Sequence, residues 1–215
     1  CSAFSFELTS GKRTIFQNNS PFNFFLGHSD EILQVGQHYN SVKFLKKSNS
    51  NKPCQCLSKI IEVASYKDFQ NNYLEGKKKI CIDQADIYHS RKLSIPFSGN
   101  EIRGSDFIFL ENQRLNDFEN INVQFFLHPE VHVWKSEGSN YFLLQLNNNE
   151  IWNFETNEDD GNLYTYNYLD PQDLQIKKAF RIVVRRGLSG QNPFIKWRFF
   201  LQNYSTRITR EKTFS

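Results

Sequence analysis

An all-β protein, a large antiparallel sandwich of two packed sheets, is the fold class this sequence predicts. Apolar residues recur at every second position through most of the chain, the runs are short, and Gly, Asn or Pro separates one from the next. Sustained helical spacing with a cap and a stop is missing; the best candidate, around 66–75, is short and polar. Many short strands joined by such turns bury their apolar faces most simply as two sheets packed face to face.

In the first run, "FSFEL", Phe4, Phe6 and Leu8 share one side, "TSGK" turns the chain and "RTIFQ" returns, which predicts a hairpin. Residues 46–58 ("KKSNSNKPCQCLS") read as an exposed loop. Hairpins are expected where "KLSIPF" and "EIRGSDFIF" flank Ser98-Gly99-Asn100, and where "YFLLQL" and "EIWNFE" flank the asparagines 147–149. Residues 156–162 ("TNEDDGN") read as a second exposed loop, and a last pair, "FRIVV" and "FIKWRFFL", is expected across the loop 185–193. Gly104, inside its run, reads as the residue that permits a bend.

Parity also sorts the stretch "FFLHPEVHVWK". Val123, Phe125, Leu127, Val131 and Val133 face the core, while His128, Glu130, His132 and Trp134 look outward. Two histidines four apart on a strand stand roughly 13 Å apart at Cα, too far for one metal ion, so His128 and His132 are read as outer-face residues. Trp152 and Phe154 share a face and are expected in the core.

With 215 residues, 39% of them hydrophobic and 15% aromatic, the chain can bury one large core, and neither a repeat nor a linker divides it. A net charge of +3 is spread too evenly to imply nucleic acid, and the arginine pair in "VVRRGLSGQNP" sits in a single loop. No run approaches the roughly 18 apolar residues of a membrane span. The Cys54-x-Cys56 pair lacks the second Cys or His pair of a zinc knuckle, so both read as loop thiols. Methionine is absent, so Cys1 is expected to follow a cleavage or a boundary rather than a translational start.

Four segments then occur in order: "YHSRKLSIPFSGNEIRGSDFIF" (88–109), "FFLHPEVHVW" (125–134), "LLQLNNNEIWNFE" (143–155), and "FRIVVRRG" with "IKWRFF" (180–200). Their order and spacing resemble the C-terminal β-domain of the heparinase II/III-like proteins. One bacterial branch of that family carries His-x-Arg-x-Leu, Gly-x-x-Leu-x-Gly-x-Asp, His-Pro-x-Val and a Trp-x-Phe strand. The resemblance covers nearly the whole chain, and the order of the motifs carries it rather than any one of them. It implies a supersandwich-like fold and a single domain over 1–215 that is truncated at its N-terminal edge. An α/α toroid of the same parent chain is then the expected partner.

The chemistry this resemblance implies is β-elimination on uronic-acid polysaccharides. The proton beside the sugar carboxylate leaves only when that charge is neutralised, a base takes the proton and an acid protonates the glycosidic oxygen. In such proteins the tyrosine base sits mainly on the toroid. Some members hold zinc through two histidines and an aspartate of the β-domain. Here the first of these histidines would fall before residue 1, with Ser2 in place of its Asp partner, and Gln17, Asn18 and Asn19 stand where an Asp is expected. Only His38 in "VGQHYNSVKFL" keeps its ligand type. One ligand of three is not a zinc site, so neither a metal nor a cofactor is expected.

His38 is therefore carried as the catalytic candidate, against the reading of a loop histidine. His89 and Arg91 of "HSRKL" and Trp134 are the substrate-binding candidates. Arg91 could grip an anionic sugar bidentately, with a salt bridge to Asp106 as the favoured alternative. Trp134 could stack on a sugar ring. Lys78 stands where the family often has a histidine. The expected function is the β-sandwich portion of a lyase for acidic polysaccharides, inactive without the toroid and placed in the cell envelope or periplasm. A non-catalytic carbohydrate-binding or structural module is the alternative.

Overall fold

A computed structural model describes residues 4–18, 22–25, 32–35, 42–46, 56–82, 85–110, 118–136, 141–170, 172–188 and 193–202. Among them every regular element is a strand. β1 (Leu8–Ser10) and β2 (Arg13–Phe16) make the N-terminal hairpin, and β3 (Phe22–Phe25) and β4 (Ile32–Val35) pair as another. β5 (Val42–Lys46) precedes the long strands β6 (Cys56–Lys67), β7 (Asn71–Ile82), β8 (Ala85–Pro96) and β9 (Glu101–Leu110). Then come β10 (Phe118–Phe126), β11 (His132–Lys135), β12 (Tyr141–Gln145) and β13 (Ile151–Thr156). β14 (Asp160–Leu169), β15 (Ile176–Gly187) and β16 (Phe194–Leu201) complete the order.

Two antiparallel sheets dominate: β14-β15-β10-β5, and β11-β12-β13-β16-β9-β8-β7-β6. They face each other across one core, because alternate residues of both point inward. Ile121, Val123 and Phe125 of β10 and Ile182 and Val184 of β15 meet Phe142, Phe154, Trp197 and Phe199 of the larger sheet. The Phe125 ring lies 5.1 Å from Phe154 and 4.9 Å from Trp197. Each such side chain contributes about 1.5–3 kcal/mol by leaving water. β10 is buried on both faces: Phe126 points the other way and packs with Tyr166, Tyr168 and Ala179.

The predicted turns are present. Gly99 (φ +68°) joins β8 to β9, and Asn149 (φ +65°) joins β12 to β13. Trp152 and Phe154 are buried, as are Val123, Phe125, Leu127 and Val131, while Glu130, His132 and Trp134 are exposed.

Four local readings change. "FRIVV" and "FIKWRFFL" do not pair: β15 lies between β14 and β10, and β16 lies between β13 and β9 in the opposite sheet. Both strands alternate, but their best partners are distant in sequence. Residues 66–75 form no helix, in keeping with their short and polar pattern, and belong to the β6–β7 hairpin, turned by Asp68, whose carboxylate accepts the backbone N–H groups of Gln70 and Asn71 at 2.7 Å. The supposed loop 156–162 holds a strand start at Asp160 and a buried Glu158, which accepts from Arg186 at 2.8 Å. Gly104 marks no bulge, since β9 keeps unbroken register with β8 and β16 on either side of it. Of the loop 46–58, residues 56–58 start β6 and 47–55 lie outside the described residues.

Candidate functional site

Two of the substrate-binding candidates are interior groups. β7, β8, β9 and β16 run side by side, and their inward positions bring Lys78, His89, Arg91, Asp106 and Trp197 together beneath the segment Phe4–Phe6. His89 and Arg91 are 0% and 2% exposed. Asp106 accepts from His89 Nε2 at 2.6 Å and Arg91 Nε at 2.7 Å on one oxygen. Its other oxygen accepts from Arg91 Nη2 at 3.1 Å and Trp197 Nε1 at 2.9 Å. Arg91 Nη1 donates to the carbonyl of Phe4 at 2.9 Å.

The protonation states follow. Burial alone would raise the Asp106 carboxyl, but the Arg91 guanidinium and the hydrogen bond from His89 outweigh it and hold the group well below the usual carboxylate range. Burial pushes His89 down to about 4, although Asp106 pulls the other way. Neutral His89 donates through Nε2, and its Nδ1 is closed off with no hydrogen-bond partner, so a second proton would have nowhere to bond. Lys78, fully buried and across the ladder from His89, is lowered to about 8 by desolvation first and by Arg91 second. In this arrangement the Arg91 fork is spent on Asp106, the alternative the sequence favoured, and both residues sit behind the sheet.

The remaining candidates divide. Trp134 is 50% exposed on the outer face of the larger sheet at its β11 edge, with the His132 ring stacked at 6.3 Å. His38 lies between β4 and β5, outside the described residues. His132 is exposed as expected, whereas His128 is half-buried with its ring 5.8 Å from that of Tyr168; among the described residues no group of three or more His, Cys, Asp or Glu could hold a metal ion. A trough of about 470 Å³ opens on the outer face of the larger sheet where small Ser94 and Ser105 stand between Lys92, Arg103, Lys196 and Arg198. Its cations are mostly matched: Lys92 meets Glu75 at 2.6 Å, Arg103 meets Glu101 at 2.8 Å and Arg198 meets Glu155 at 2.7 Å.

The model of the heparinase II/III-like C-terminal domain matches residues 44–198, most of the chain. The chain belongs to the heparinase II/III-like family. Among solved structures, heparan sulfate lyase HepC from Pedobacter heparinus is similar over 93% of this chain and 30% of its own, with a TM-score of 0.64 at 11% identity. A heparinase III gene product is similar over 94% of this chain and 30% of its own, with a TM-score of 0.61 at 9% identity. A further heparinase III covers 92% and 29%, with a TM-score of 0.59 at 14% identity. No curated protein sequence matches. The chain thus spans about three tenths of these structures' length, and the likeness to them is one of fold.

Within this heparinase II/III-like domain the outer face of the smaller sheet drew no attention at the level of sequence. Asn122 and Gln124 of β10 and Arg181 and Arg185 of β15 share that face with Lys43 of β5. The signal was available. In "NINVQFF" the polar residues fall on one parity and the apolar ones on the other until Phe126, and in "RIVVRR" Arg181 and Arg185 share a parity. The inward placement of Lys78 could likewise have been read, since it shares its parity with Ile80 and Gly76.

Proposed function

We propose that this chain is the β-sandwich part of a polysaccharide lyase that acts on uronic-acid glycans by β-elimination, completed by an α/α toroid of the same parent chain. The family match over residues 44–198 is the observation that supports this reading most. In it His38 serves as acid or base, or as a contact that neutralises the sugar carboxylate. His89 and Arg91 serve from behind the sheet by fixing Asp106 and Trp197. Trp134, open to solvent, is the candidate placed to touch a sugar. The toroid is given the apolar strip Ile60, Val63, Leu74 and Ile95, which is 38–58% exposed and continues the sheet face crossed by Phe4–Phe6. The reading also puts the parent protein in the cell envelope.

The test is ultraviolet absorbance of the unsaturated uronate product, using the complete parent protein on a panel of uronic-acid polysaccharides, with His38→Ala beside it. A rise that His38→Ala abolishes is the expected result. A folded parent protein that yields no product on any of the panel favours the second reading, a carbohydrate-binding module without catalysis, which the inward placement of His89 and Arg91 supports.

A further inference from the structure

The outer faces of the two sheets differ in how their charges are balanced. On the larger sheet the arginines of the trough are paired with carboxylates. On the smaller sheet Lys43, Asn122 and Arg185 stand in one row across β5, β10 and β15, and Arg181 stands opposite Phe126 further along. Among the described residues the carboxylate paired with this group is Asp160, 3.7 Å from Arg185 Nη1. Arg181 rests on the rings of Phe126 and Tyr164, 5.7 Å from each. Lys43 keeps solvent contact, but crowding by protein atoms and then the Arg181 guanidinium lower its ammonium below the ordinary lysine value. Among the described residues three cations face one carboxylate.

The same face holds polar atoms that are closed to solvent and bonded to nothing: Asn122 Oδ1, Gln124 Oε1, Arg181 Nε and Arg185 Nε. Asn122 and Gln124 are 7% and 4% exposed. Leaving such an atom unsatisfied costs about 1–3 kcal/mol, and native chains hold few of them. The two kinds of deficit ask for one kind of ligand. Unbalanced cations call for an anion, the amide oxygens call for hydroxyl donors, and the Tyr164 ring, 40% exposed, offers a surface for a sugar ring.

We infer that this face binds an acidic sugar residue, its carboxylate or sulfate held by Lys43, Arg181 and Arg185 and its hydroxyls donating to Asn122 and Gln124. The inference rests on the acidic-glycan reading above and gives it a place on the β-domain. Bonding to the amide oxygens requires the side chains that close them off to move aside.

Titration calorimetry of the full chain tests it, with a heparan-sulfate-derived tetrasaccharide, sodium sulfate and an uncharged cello-tetraose as probes. The tetrasaccharide is expected to bind, more weakly as salt rises, and the uncharged probe is not. Lys43→Gln with Arg185→Gln is expected to weaken binding about tenfold or more, while Lys196→Gln on the opposite face leaves it unchanged. Lys43→Gln alone, at an exposed residue, weakens it in the same direction should the double variant fold poorly. Equal binding of sulfate and tetrasaccharide would reduce the site to one for a free anion and overturn the sugar. Unchanged affinity in both variants, or no binding by the wild type, overturns the site itself. Product formation on the panel judges the lyase reading separately: binding without product leaves this inference standing, and product with an unchanged KM in Lys43→Gln/Arg185→Gln removes it while the lyase reading stands.

Discussion

The indole of Trp197 occupies the place where Gly104 would carry a side chain. A Cβ built on Gly104 would come within 2.0 Å of Trp197 Cζ2, and the indole is held in place by the hydrogen bond from Nε1 to Asp106. Glycine is needed there for close approach rather than for a turn, which is why the register of β9 runs through it unbroken. Gly104→Ala forces the ring or the strand to move, at a cost of about 1–3 kcal/mol. Urea denaturation followed by tryptophan emission measures it; a loss under about 0.5 kcal/mol would show that the ring has room to yield.

Asp106 is the acceptor that β8 and β16 share, taking four hydrogen bonds from His89, Arg91 and Trp197 on its two oxygens. Asp106→Asn keeps the shape but leaves Arg91 buried beside a neutral amide that accepts at one atom only. Breaking a buried ion pair in this way costs about 3–5 kcal/mol. The variant is expected to unfold at clearly lower denaturant, with Trp197 emission altered in the native baseline. Wild-type stability in Asp106→Asn would mean that Arg91 finds another partner.

The hairpins at Gly99 and at asparagines 147–149 were legible because a turn residue and two alternating runs are neighbours in the chain. The partner of β16 was not, because β9 and β13 reach it only through the folded sheet. The site followed the same division. The pairing of Arg91 with Asp106 could be read from charge and parity, yet its depth could not, since burial depends on the opposing sheet and on Phe4–Phe6 lying across it. His38, the residue on which the chemistry was placed, lies outside the described residues, and the cationic face of β5, β10 and β15 emerges only when three distant strands are set side by side.

His89 ties stability to pH. Its folded value of about 4 lies below the ordinary 6.5, so the unfolded chain binds the proton more readily. The contribution is therefore full above pH 6.5 and is lost as pH falls through the window down to about 4. The slope added by this one group approaches about 1.4 kcal/mol per pH unit at most. Asp106, also lowered, adds its loss only below its ordinary 3.8, outside that window. His89→Gln keeps a donor for Asp106 and removes the titration. The wild type minus the variant should show the slope between these two values, and parallel curves would mean that His89 titrates normally.

Trp134 and Trp152 test the parity of two strands in one sheet. Trp152, 3% exposed, packs in the core, and Trp152→Ala should cost about 3–5 kcal/mol. Trp134, half exposed on the opposite face, should change stability by no more than about 0.5 kcal/mol when replaced by alanine. Of the three tryptophans, Trp134 alone is open to solvent, the others being 3% exposed, so iodide should quench its emission and spare theirs. Trp134→Phe should abolish the quenchable fraction. Long heparan sulfate chains added to the wild type are expected to shield Trp134 from iodide, because a sugar stacked on the indole covers the face that iodide reaches. Quenching that is unchanged at saturating glycan would take Trp134 out of the substrate path and leave it as an outer-face residue beside His132.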